Sequence, residues 1–129
     1  MPTPSPLTIA TQSVQRLVKE ETYYRKELAQ QTERVKKLET DLKDKKNDVD
    51  ADGNAEFMLR QEQKAIQETR AVFAPLRQRI ADAVRRLEEQ LATAESEGAA
   101  AASSVDEIEG AKKALELGTS KVGSEEEDA

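Results

Sequence analysis

The run Asp48-Val49-Asp50-Ala51-Asp52-Gly53 carries the one spacing in this chain that resembles a metal-binding motif. A calcium loop of the helix-loop-helix type opens with D-x-[DN]-x-[DN]-G and closes with a bidentate glutamate at position twelve. Here position twelve is Leu59, so the closing ligand is missing. The run reads instead as an acidic turn in which Gly53 takes a positive φ. Carboxylate pairs at Glu20/Glu21 and Glu88/Glu89 could do acid–base work only in a cleft that shifts their pKa, beside a nucleophile. Neither is visible. The chain has no cysteine and no histidine, which removes thiol chemistry, disulfides, the usual zinc sites and imidazole catalysis. A protein without catalytic activity and without a cofactor is expected.

What remains is the chemistry of recognition. Tyr23 and Tyr24 are the only tyrosines. Tyr24 falls on an apolar seam, and Tyr23 lies about 100° further round a helix. There it sits on a charged flank with Arg16, Lys19, Glu20 and Glu27. Protein interfaces concentrate their energy in tyrosine and arginine. These five residues, with Arg70 from the second half of the chain, are the candidate partner-binding residues. A solvated charged face is the competing reading for each of them.

The elements that would position them follow from one spacing. Val14, Leu17, Glu21, Tyr24, Leu28, Gln31, Val35, Leu38 and Leu42 alternate in steps of three and four, and seven of the nine are apolar. That pattern keeps one stripe of an α-helix facing a partner. Ser5-Pro6 suits an N-cap followed by a first-turn proline, with Thr11 and Ser13 as competing starts, so the first helix covers about 7–47. Asn54 suits the N-cap of a second helix, about 55–97, whose seam is Leu59, Glu62, Ile66, Thr69, Phe73, Leu76, Ile80, Ala83, Leu87 and Leu91. Pro75 interrupts it and predicts a kink, but the seam stays in phase, so one kinked helix is expected. The polar seam residues Glu21, Gln31, Lys45, Glu62 and Thr69 either fix register or face a groove that a partner helix fills.

A third helix is expected over about 104–117. Ser104 and Glu107 have capping-box spacing, Val105, Ile108, Ala111 and Leu115 form its stripe, and Gly118 ends it. Gly110 makes it the least stable of the three. The fold class is all-α: an elongated, rod-like three-helix bundle built on a long αα-hairpin, with a flexible lead at 1–6 and a disordered acidic tail at 119–129.

Apolar and charged residues each make up 36% of the chain and aromatics 3%, too little apolar material for a deep core but enough for thin helical seams. Net charge is +2 over residues 1–48, −1 over 49–94 and −7 over 95–129. An acidic chain without a basic cluster is a poor nucleic-acid binder. Nothing approaches the length of a membrane span and no signal peptide is visible. The absence of cysteine favours the cytosol.

The run VQRLVKEE at Val14–Glu21, with Tyr24, Glu27 and Gln31, resembles the first helix of the tubulin-folding cofactor A family. So do QETR at Gln67–Arg70, the interior Pro75, and RIADAVRRLEEQL at Arg79–Leu91. The resemblance covers about 7–91 closely and the third helix loosely. Ala99–Ala102 and the acidic tail depart from it. It implies a small three-helix cofactor, cytoplasmic and cytoskeleton-associated, monomeric or homodimeric. Such a cofactor binds β-tubulin folding intermediates released from the chaperonin and passes them to other tubulin-folding cofactors. The alternative is a generic coiled-coil scaffold without tubulin specificity.

Overall fold

Ser5 opens the first helix. In the computed structural model, which describes residues 3–44, 53–97 and 105–123, Ser5 Oγ accepts a hydrogen bond from Thr8 N at 3.1 Å. Its carbonyl accepts from Ile9 N at 3.0 Å. That satisfies two of the amides a helix start leaves unpaired. Helix α1 accordingly begins at Pro6 and runs to Asp44. Thr11, the competing start, lies inside the helix and donates its hydroxyl back to Leu7 O at 2.8 Å.

Helix α2 spans Asn54–Glu97 without a break at Pro75. Gly53 takes φ +71°, as expected of the turn, and its carbonyl accepts from Phe57 N at 3.0 Å. The cap is thus Gly53, and Asn54 is already helical. The Asp-rich run before Gly53, and Lys45, lie outside the described residues. Helix α3 spans Val105–Val122.

The described residues form helices only, arranged in two compact units: residues 1–22 with 74–129, and residues 23–73. The first unit is a three-helix bundle. Arg79 of α2 lies 3.6 Å from Glu20 of α1, so these helices are in contact. Glu107 of α3 meets Ser5 and Thr8, and Lys121 meets Glu21, so α3 runs parallel to α1. Facing two helices widens the buried stripe of α1 to Leu7, Ala10, Thr11, Val14, Leu17, Val18 and Glu21. On α2, Ile80 and Leu87 reach 0% exposure.

The second unit is a two-helix pair. Arg34 Nε donates to Glu62 Oε1 at 3.0 Å, and the Arg25 guanidinium lies 5.5 Å from the centroid of the buried Phe73 ring. One neighbour per helix covers a narrower stripe. Ile66, Thr69, Phe73 and Gln31 are buried, whereas Leu28, Val35, Leu38, Leu42 and Leu59 are only half-buried.

Three expectations are corrected. Val84, not Ala83, is the buried position on α2, because α3 covers that side of the stripe. Val105 is 70% exposed, and the α3 contact runs through Ala111, Ala114 and Gly118. Gly118 does not end the helix, which continues to Val122. A Cβ at Gly118 would stand 2.6 Å from Val84 Cγ2 and 3.0 Å from Val14 Cγ1. Glycine is there to let α3 approach both neighbours, and the helix has no reason to stop.

Candidate protein-binding surfaces

The residues of the charged flank expected on α1 fall in both units. In the three-helix unit Arg16 and Lys19 are exposed. Glu20 is half-buried and pairs with Arg79 across the α1–α2 contact. Glu20 thus has a counter-ion across the helix contact, whereas Arg16 and Lys19 are exposed to solvent.

In the two-helix unit Tyr23 is 61% exposed. Its ring stands edge-on to Tyr24, with centroids 5.3 Å apart and planes at 79°, a geometry that favours the aromatic pair. Tyr24 is half-buried, so it supports Tyr23 from the seam side. Glu27 is half-buried and Arg70 exposed. The six candidate residues thus divide three and three between the units.

The polar seam residues behave differently from one another. Glu21 has 0% exposure and its Oε2 lies 3.0 Å from Lys121 Nζ, a buried ion pair that ties the last turn of α3 to α1. Sequence reasoning missed Lys121 by assigning it to the tail. The signal was present: Ala111, Ala114, Gly118 and Lys121 continue a 3-4-3 spacing. At the other end of α3 the Glu107 carboxylate accepts from the hydroxyls of Ser5 at 2.7 Å and Thr8 at 2.8 Å. Ser104, the other half of the expected capping box, lies outside the described residues.

In the two-helix unit Gln31 is 6% exposed and its Oε1 has no hydrogen-bond partner among the described residues. Glu62 Oε2 is likewise shielded and without one. An open groove of about 310 Å³ lies beside Glu62, lined by Arg34, Leu38, Asp41 and Met58 among others. Phe57 and Met58, at the start of α2, are 52% and 46% exposed. These two residues were not singled out by periodicity, because the seam runs through Leu59.

No group of His, Cys, Asp or Glu that could hold a metal occurs among the described residues. No helix among them is long and apolar enough to cross a membrane. Among the described residues the three-helix unit thus exposes Arg16 and Lys19, and the two-helix unit exposes Tyr23 and leaves its apolar seam half-buried.

No curated protein and no solved structure matches the chain. A family model described as Tubulin binding cofactor A matches residues 2–115, spanning α1, α2 and the first part of α3. The chain belongs to the tubulin binding cofactor A family.

Proposed function

We propose that this protein captures β-tubulin as a folding intermediate after its release from the chaperonin, holds it reversibly, and yields it to the next tubulin-folding cofactor. Family membership carries this reading, since the matched family is one of tubulin-binding cofactors. The surfaces support it. Arg16 and Lys19 in one unit, and Tyr23, Glu27 and Arg70 in the other, present exposed or half-exposed charge and one aromatic anchor. Glu20 adds a carboxylate shared with Arg79. Such a mixture suits a client that is nearly folded and has a polar surface, and it suits reversible binding. The protein acts in the cytoplasm, in association with the cytoskeleton, without catalysing a reaction.

The test is a stoichiometric complex. Purified chain mixed with an excess of β-tubulin monomer should elute with it at a fixed ratio in size-exclusion chromatography. Self-association of the chain with no tubulin complex would instead identify a coiled-coil scaffold.

A further inference from the structure

We infer that the groove between α1 and α2 in the three-helix unit receives an acidic segment of the tubulin client, a short run with neighbouring Asp or Glu residues. The inference rests on the tubulin-binding reading above and adds to it a place and a chemistry.

The first observation is position. A groove of about 220 Å³ has Ala10 and Ser13 of α1 on one side and Arg79, Asp82 and Arg86 of α2 on the other. All of its lining lies within one compact unit. Helix α3 is held elsewhere on the pair: Gly118 approaches Val84 and Val14, and neither lines the groove. Arg79, Asp82 and Arg86 accordingly remain exposed.

The second observation is charge. The stretch Arg77–Arg86 of α2 holds four arginines against one aspartate, in a chain whose net charge is −6. Both carboxylates at the groove are already committed. Asp82 accepts from Gln78 Nε2 at 3.1 Å and lies 3.6 Å from Arg85, and Glu20 lies 3.6 Å from Arg79. Arg86, in the groove wall, has no ion-pair partner among the described residues. Neither has Arg16, one helical turn beyond Ser13 on the same side of α1. A guanidinium has donors only and binds a carboxylate through two parallel hydrogen bonds. The unfilled chemistry of this groove is therefore cationic donor chemistry, and carboxylates complement it.

The third observation is extent. Arg79 and Arg86 are seven residues apart, about 10 Å along the helix, which about three residues of extended chain span. Past Arg86 the surface of α2 turns acidic at Glu88 and Glu89, both exposed. A short acidic run fits between these limits, whereas a long polyanion meets like charge. The chain's own acidic end is a poorer occupant. Val122, before it, packs on Ala74, Arg77, Gln78 and Ala81, none of which lines the groove.

The experiment uses the full chain with β-tubulin and three variants. Arg86→Lys keeps the charge and supplies an amine that a carbodiimide couples to a touching carboxylate. It should crosslink to a tubulin peptide with neighbouring Asp or Glu residues, identified by mass spectrometry, and exposed Lys113 of α3 should not. Arg86→Glu should weaken the tubulin complex roughly tenfold. Lys113→Glu, the same change of charge on another face of the unit, should leave it as it was, and neither variant should alter melting. If Arg86→Glu binds like the parent, the groove is not the site, and tubulin binding itself stands. Equal weakening by both reversals assigns the effect to net charge and overturns the groove. A crosslink from position 86 to Glu125–Asp128 assigns the groove to the chain's own acidic run and overturns the client segment. If the unaltered chain forms no tubulin complex, both readings fall together.

Discussion

Gly110 and Gly118 lie eight residues apart on α3 and meet different surroundings. A Cβ added at Gly110 would find nothing within 4 Å, whereas at Gly118 it would press on Val84 and Val14. Both valines are β-branched and have little rotamer freedom with which to yield. Gly110→Ala should therefore stabilise the protein by about 0.5–1 kcal/mol, through the lower backbone entropy of the unfolded chain and better helix propensity. Gly118→Ala should destabilise it by about 1–3 kcal/mol, as overpacking does. Thermal denaturation followed by circular dichroism distinguishes the two. A stabilising alanine at 118 would contradict the close approach of α3.

Among the elements, α2 and α3 each carry a testable irregularity. Pro75 deprives the carbonyl of Ala71 of its helical partner, yet α2 continues through it with Phe73 and Leu76 buried on either side. We expect the proline to bend the helix. Pro75 is exposed, so Pro75→Ala should leave melting unchanged or raise it, and a strongly destabilised variant would mean that α1 packing depends on the bend. For α3, the last turn is structural. Ending the chain after Gly123 should leave both melting and tubulin binding intact, because the residues beyond it are Ser-Glu-Glu-Glu-Asp-Ala and offer nothing apolar to pack. Ending it after Gly118 removes Lys121 and strips Glu21 of a cation in a fully buried setting. That truncation should cost about 2 kcal/mol or more, since removing one member of a buried pair is more harmful than never having had it. Equal melting of the two truncations would show the ion pair to be inert.

For the molecule as a whole, binding should respond to ionic strength. Arg16 and Lys19 are exposed, and attraction between exposed charges is screened over about 8 Å at physiological salt. Affinity for β-tubulin should fall as salt rises. Reversing both charges, Arg16→Glu with Lys19→Glu, should weaken it further. Surface changes away from caps and seams stay within about ±0.5 kcal/mol for folding, so helicity and melting should be preserved. A titration at two salt concentrations checks both statements, and salt-independent binding would discard the charged surface as a contact.

Local signals in the sequence set the two long helices. Proline, glycine and the capping hydroxyl of Ser5 act within a few residues, and the 3-4 spacing of Val14 to Leu42 is written along one element. The continuity of α2 through Pro75 and the turn at Gly53 were legible for that reason, whereas the start of α1 stayed open between Ser5 and Ser13 until the Ser5 cap was seen. Which flank of each stripe gets covered depends instead on the neighbouring helices. An α-helix places residues three and four apart side by side, so a stripe through Ala83 and one through Val84 are nearly equivalent until a neighbour chooses between them. The position of α3 made that choice. It buried Val84 and Gly118, left Val105 in solvent, and drew Lys121 and Glu107 out of an apparent tail and an apparent cap into contacts with α1. The candidate surface followed the same division. The exposed cations and Tyr23 could be read from periodicity, but the groove beside Glu62 lies within the unit 23–73 and depends on how α1 and α2 pair there, which no local spacing records.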